Sequence, residues 1–332
     1  MLKFLLNFLR KVQVLFIRIR KLKKNIWKKK KILITGAKGF VGKNLIKELN
    51  LKKKNYSFKL FTPTRNILDL NNINKLNKYF LKKKPDIVIH LAGLNGGIQS
   101  NIKYPADFYY KNVTMNNNIF EICARHSVKK LVCISAGAAY PNKTKVPYRE
   151  TNFWNGVPNV SHLGYGLAKR LLTIQSEIYE KQYQLKSIIL IPANIFGPHD
   201  NIDNFKSSVT ASLILKVKQA KLKKIKFLEM LGDPNTEREF LYVKDLIKII
   251  IESIENHKIA GSFNIGPGKS YKIIQVVKKI SKVLNYKGEL KWNNRKMIGD
   301  KKRLFDITKF KENFKFKKFT NFDKAIKQTI KS

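Results

Sequence analysis

Tyr165 and Lys169 stand four residues apart in Tyr165-Gly166-Leu167-Ala168-Lys169, a spacing that puts a phenol and an ammonium on one face of a helix. Such a pair relays protons. The ammonium favours phenolate and lowers the tyrosine pKa from its ordinary value of about 10 toward working pH. The phenol then protonates an alkoxide as hydride reaches a carbonyl carbon. Taken alone, the two side chains better suit a solvated helix face with no chemistry. A source of hydride is implied far upstream by the glycine turn Thr35-Gly36-Ala37-Lys38-Gly39-Phe40-Val41-Gly42. It follows the apolar run Ile32-Leu33-Ile34 and leads into a helical stretch through Leu49. Strand, glycine turn and helix in that order form the dinucleotide fingerprint. Gly36, Gly39 and Gly42 let the backbone turn tightly, approach a pyrophosphate and pack helix on strand. The amides at the helix N-terminus, around Phe40 and Val41, supply donors and a positive dipole end.

Positioning these groups takes a sheet. Phe58-Lys59-Leu60-Phe61 reads as a second strand, Asp86-Ile87-Val88-Ile89-His90-Leu91-Ala92 as a buried third, and Lys130-Leu131-Val132-Cys133-Ile134-Ser135 as a fourth. Ser187-Ile188-Ile189-Leu190-Ile191 follows as a further strand, and helical patterns separate them all. This alternation predicts an α/β fold, a Rossmann-type doubly wound parallel sheet with a smaller C-terminal substrate lobe. The expected domains are a basic amphipathic helix over 1–30, a dinucleotide-binding domain over 31–198 to which 240–265 returns, and a lobe over 199–239 and 266–325.

A chain of 332 residues with 43% hydrophobic residues can bury a full core, which excludes disorder as a class. Its formal charge of +46 attracts polyanions in general, but lysine is spread over nearly every segment and no recognition motif accompanies it. Nucleic acid is therefore not expected as a partner. Cys123 and Cys133 lie in apolar surroundings and read as reduced core thiols, with no metal site implied. Residues 1–31 hold twelve Lys or Arg and no acid. Leu5, Phe8, Val12, Leu15, Ile19, Leu22 and Ile26 form one helical face of that segment, with cations opposite. Charge interrupts it too often for a membrane span, and no signal-peptide cleavage site follows. An interfacial helix on an anionic membrane and a misplaced start codon both account for it. The location expected is cytoplasmic, peripheral at the inner face of a membrane if the helix is an anchor.

From about residue 31 to 310 the chain resembles the GDP-L-fucose synthases, reductases of the extended short-chain dehydrogenase/reductase (NAD-dependent epimerase/dehydratase) family. The resemblance rests on Leu91-Ala92-Gly93 with Gly96-Gly97-Ile98, Tyr104-Pro105-Ala106-Asp107-Phe108, Tyr140-Pro141, and Tyr165 with Lys169. It continues through Asn194-Ile195-Phe196-Gly197-Pro198-His199-Asp200-Asn201, Arg238-Glu239-Phe240-Leu241-Tyr242-Val243 and Asn264-Ile265-Gly266. The resemblance implies NADPH reduction of a 4-keto, GDP-linked deoxysugar, with Tyr165 and Lys169 as the reductive pair and a homodimer as the assembly. It places Leu91, Ala92 and Gly93 beside the cofactor, Lys38 and Arg65 on the 2′-phosphate of NADP, Arg238 and Lys296 near the nucleotide diphosphate, and Asn194 beside the sugar. No acidic side chain ends the second strand as NAD would prefer, in keeping with NADP, although NAD remains the alternative.

Three positions depart from the family pattern. Ala136 stands where the family has a carbonyl-orienting Ser or Thr, Ala138 replaces its epimerising cysteine and Ser208 its epimerising histidine. Losing one preorganised donor costs on the order of 10²–10³ in rate, so either catalysis is weak or another hydroxyl substitutes. Ser135 is the nearest substitute, although one step along a strand turns a side chain to the other face. His162 and His199 remain near the site, and a lone loop histidine is usually structural. The expectation is a reductase in which epimerisation is absent or slow. An NAD-dependent epimerase or dehydratase, and an impaired nucleotide-sugar binder, stand as rivals.

Overall fold

The alternating apolar residues of the predicted strands feed two cores, one on each side of a single sheet. Ile32, Ile34, Ile87, Ile89, Val132, Ile188 and Leu190 face one way, while Leu33, Val88, Leu131, Cys133 and Ile189 face the other. A strand buried on both faces must be apolar throughout, which is why these runs carry few polar residues. The structure, a computed structural model, describes residues 26–200, 208–256, 258–293 and 300–332. The predicted helix over 1–30 lies outside the described residues up to residue 25. Among the described residues no helix is long and apolar enough to cross a membrane.

Strands β1 (Lys30–Thr35), β2 (Phe58–Phe61), β3 (Ile87–His90), β4 (Lys130–Ile134), β5 (Ser187–Pro192) and β9 (Gly261–Ile265) form a six-stranded sheet in the order β2-β1-β3-β4-β5-β9. Every pairing is parallel. Helices α1 (Phe40–Lys52), α2 (Ile73–Lys83), α3 (Ile98–Lys103), α4 (Pro105–Arg125) and α5 (Leu163–Tyr183) fill the crossovers. The strand order reverses between β1 and β3, and ligands of open α/β sheets bind outside the carboxyl ends of strands at that switch.

The lobe is built on β6 (Asn194–Phe196), β8 (Glu237–Tyr242), β10 (Ser270–Lys272) and β12 (Lys302–Arg303). A parallel pair, β7 (Phe227–Leu231) with β11 (Glu289–Asn293), and helices α6 (Val209–Leu222), α8 (Ile273–Leu284) and α10 (Phe322–Ile330) complete it, while α9 (Thr308–Asn313) packs on β9 of the large sheet. Between β8 and β9 the chain returns to the large sheet through α7 (Val243–Glu255), so the segment expected to return at 240 turns back at the start of that helix. Among the described residues the core also begins before its expected boundary: Trp27 is fully buried against Tyr56 and Phe58 and donates from Nε1 to Glu255 Oε1 at 3.1 Å. Aromatic burial outweighs the basic flanks there. Cys123 and Cys133 are both buried with free thiols, and burial pushes the Cys133 thiol up to about 12.

Candidate active site

A cleft of about 850 Å³ opens along the carboxyl ends of β1, β3, β4 and β5 and runs from the glycine turn to the lobe. Gly36, Lys38, Gly39, Phe40, Val41 and Gly42 form one end. Gly36 follows β1 at φ +70°, and a β-carbon there would lie 2.6 Å from Ala92 N. At Gly42 it would lie 2.4 Å from the Gly36 carbonyl oxygen, so both positions require glycine to bring turn, helix and β3 together. Gly39 precedes α1 in extended conformation with no side-chain cap, leaving first-turn amides for an anionic ligand. A dinucleotide phosphate fits this turn, since the helix N-terminus there has no side-chain cap and Gly39, Phe40, Val41 and Gly42 line the cleft.

Leu91 and Gly93 line the neighbouring wall, with Ala92 packed behind them on Gly36. Their loop is clamped by Asn112, which is buried in α4, accepts from Leu94 N at 2.8 Å and donates to Leu94 O at 3.0 Å. Lys38 is exposed on the cleft rim, and Arg65 is exposed on the turn after β2, outside the residues that line the cleft. Asn44 of α1 donates to the Pro198 carbonyl at 2.7 Å, tying the cofactor helix to the loop that follows β6. Neither asparagine is distinguishable in the sequence from the many others.

Tyr165 and Lys169 both line the cleft from α5, with Lys169 Nζ 6.0 Å from the Tyr165 ring centre. Lys169 is 6% exposed, and its Nζ donates to the Ile134 carbonyl at the end of β4 at 2.9 Å. Burial lowers its pKa to about 8. The expected depression of the tyrosine pKa is corrected: burial pushes Tyr165 up to about 12. Removing a phenolate from water outweighs the attraction of an ammonium that is itself desolvated. Helix α5 is held in place by a buried polar chain. Thr35 Oγ1 meets His90 Nδ1 at 2.8 Å, His90 Nε2 meets Asn116 Oδ1 at 3.2 Å, and Asn116 Nδ2 donates to the Ala168 carbonyl at 3.0 Å. Burial and then the Lys169 charge lower His90 to about 3, so it serves as a neutral strut.

Ser135 borders the cleft, but the residue is only 3% exposed and its hydroxyl donates to the Lys169 carbonyl at 2.8 Å. This corrects the expectation that Ser135 stands in for the missing carbonyl-orienting donor: its one proton is already placed on backbone. Ala136 and Ala138 line the cleft with methyl groups only. Ser208 also lines it, caps α6 by accepting from Ala211 N, and donates to Asp200 Oδ2 at 2.6 Å.

At the lobe end Asn194 of β6 and Arg238 of β8 both line the cleft. Lys296 lies outside the described residues. The cation seen beside Arg238 is Arg303, its direct register partner across the β8–β12 pair. Arg303 Nη2 donates to Asp300 Oδ2 at 2.8 Å, while its buried Nε has no partner among the described residues. Burial, then the neighbouring Arg303 charge, draws Arg238 down to about 10. Two adjacent guanidiniums repel each other and suit a multiply charged anion that satisfies both. Sequence reading misses Arg303 because only strand register singles it out among 68 Lys and Arg.

The model of the family described as "NAD dependent epimerase/dehydratase family" matches residues 32–266. A GDP-L-fucose synthase of Dictyostelium discoideum is 32% identical over 303 residues, covering 91% of this chain and 94% of the relative. The GDP-mannoheptose C4 reductase MlghC of Campylobacter jejuni, solved with NADP bound, superposes with a TM-score of 0.81 at 29% identity, covering 91% of this chain and 98% of that one. A GDP-L-fucose synthetase of Naegleria fowleri bound to NADP gives 0.82 at 27% identity, covering 92% and 94%. The chain belongs to the NAD dependent epimerase/dehydratase family, among its GDP-L-fucose synthase-like members.

Proposed function

We propose that this protein is an NADPH-dependent reductase of a 4-keto, GDP-linked sugar, with 3,5-epimerisation absent or slow. The observation that carries the reading is a single cleft holding the glycine turn at one end, Tyr165 and Lys169 at the middle and the Arg238–Arg303 pair at the other. The Campylobacter jejuni and Naegleria fowleri structures with NADP bound support the cofactor. The turn at Gly36, Gly39 and Gly42 would hold the NADPH diphosphate, with Leu91, Ala92 and Gly93 alongside and Lys38 and Arg65 on the extra phosphate. Arg238 and Arg303 would hold the diphosphate of the sugar nucleotide, and Asn194 the sugar.

When bound, NADPH supplies the hydride that the reduction adds to C4. Tyr165, a neutral phenol at working pH because its pKa lies near 12, gives its proton to the ketone oxygen, so the carbonyl becomes an alcohol. Lys169, anchored on Ile134, steadies the negative charge that the proton leaves on the phenol. A 3,5-epimerisation needs an acid and a base beside the ketone, and the methyl group of Ala138 and the hydroxyl of Ser208, donated to Asp200, do not provide them.

The test is NADPH oxidation with GDP-4-keto-6-deoxymannose in deuterated water. Consumption without deuterium at C3 and C5 is expected, and incorporation there would sink the claim about epimerisation. No consumption, with NADPH bound, would favour an impaired binder, the reading that Ala136 supports. Retained NAD in the purified protein would favour an epimerase or dehydratase. A homodimer through α4 and α5, which expose Tyr109, Tyr110, Ile178 and Tyr183, is part of the proposal. Light scattering that returns a monomer mass would remove it.

A further inference from the structure

His162 is the last residue of the short 3₁₀ turn Val160–His162, three residues before Tyr165, and it lines the cleft. Tyr165, Arg238 and Arg303 line the same cleft, and the charges of Arg303, Asp300 and Arg238 reach the imidazole. A hydrogen-bond chain determines which ring nitrogen carries the proton. Asn159 Oδ1 accepts from Ser161 N at 3.0 Å, which identifies that atom as the amide oxygen. Asn159 Nδ2 correspondingly donates to Asn142 Oδ1 at 3.2 Å. The same Asn159 oxygen takes the Ser161 hydroxyl proton at 2.8 Å, because an amide oxygen can only accept. Ser161 Oγ has then spent its proton, and at 2.8 Å from His162 Nδ1 it must accept. His162 therefore carries its proton on Nδ1. Nε2, on the opposite edge of the ring, holds a lone pair and has no partner among the described residues.

We propose that His162 is a positioning residue for the sugar, accepting at Nε2 a hydrogen bond from a hydroxyl of the ring carried between the paired arginines and Tyr165. This rests on the reading of the cleft as a GDP-sugar site. Burial, then the Arg303 charge, lowers the histidine to about 4, which keeps it neutral and its lone pair free at working pH. Protonation would turn the acceptor into a donor beside two arginines. Ser161 is 2% exposed, so solvent does not compete for the bond that selects the tautomer.

The experiment uses full-length protein labelled with ¹⁵N-histidine, His162 being assigned by His162→Gln, and titrates GDP and GDP-mannose separately. The expected spectrum shows His162 protonated on Nδ1, with an Nε2 resonance that moves on adding GDP-mannose and stays in place with GDP. In binding measurements His162→Phe should lose about five-fold in affinity for GDP-mannose, the value of one neutral hydrogen bond, while GDP and NADPH affinities hold. His162→Gln, which keeps an acceptor, should recover part of that loss, and Ser161→Ala should yield mixed tautomers. A proton on Nε2, or equal losses for GDP and GDP-mannose, would overturn the assignment. Wild-type protein that binds neither ligand would overturn the GDP-sugar reading itself, and the role of His162 with it.

Discussion

One end of the cleft is made of backbone and the other of side chains. Around the glycine turn, Gly36 and Gly42 leave no room for a β-carbon and the ligand-facing groups are amides at the start of α1. At the sugar end, the β4 loop offers Ala136 and Ala138, α6 begins at Ser208, and the cations Arg238 and Arg303 come from two strands of the lobe. A backbone cradle changes only by changing the fold, whereas a side-chain wall changes one residue at a time. The three positions read from the sequence as departures from the family pattern, 136, 138 and 208, all fall on the side-chain wall.

The sharpest way to separate the two ends is at their junction. Tyr165→Phe should lower NADPH oxidation by roughly 10²–10⁴ while NADPH affinity changes little, measured by turnover and fluorescence titration. Equal losses in both would show that the phenol also builds the cofactor end. Ala136→Ser restores a hydroxyl at the site of the missing donor and should raise turnover on the order of 10²; no gain would mean that another donor already serves the ketone. Gly42→Ala drives a β-carbon to 2.4 Å from the Gly36 carbonyl, and should cost about 2–3 kcal/mol of stability in thermal unfolding, along with NADPH binding. Retained GDP affinity in the folded fraction of Gly42→Ala would confirm that the ends are independent.

A smaller effect is read against pH. Burial disfavours the charged form of Lys169, so its ammonium is lost as pH rises through about 8, well before a solvated lysine would titrate. With the ammonium required, kcat/KM should fall by up to ten-fold per pH unit above that value, with no limb from Tyr165 until near 12. A flat profile to pH 10 would show that the ammonium is dispensable. Ser135→Ala should have the least effect, about 1 kcal/mol in unfolding, since it removes one hydroxyl donated to the Lys169 carbonyl.

Much of the cofactor end is legible in the order of residues alone. The Gly36–Gly42 turn, the strands through Ile87–His90 and Lys130–Ile134, and the Tyr165–Lys169 spacing are all local patterns, and each occupies its expected element. Ser135 fails as a substitute donor because its partner, the Lys169 carbonyl, is 34 residues away. Arg303 does not stand out in the sequence because its importance comes from lying opposite Arg238. His162 is visible as a nearby ring, but the tautomer that makes it an acceptor depends on Asn159 and Ser161 adopting one turn.

The class of fold, the place of the glycine turn and the placing of Tyr165 and Lys169 on one helix follow from the amino-acid sequence. Those properties are written in residues within a strand, a turn or a few turns of helix of one another, where periodicity and glycine chemistry act directly. Which hydroxyls are free, which two arginines meet, and the protonation of Tyr165, Lys169 and His162 are settled by tertiary packing. They depend on burial and on partners brought together across the chain, and desolvation competes with pairing only once the fold has set both.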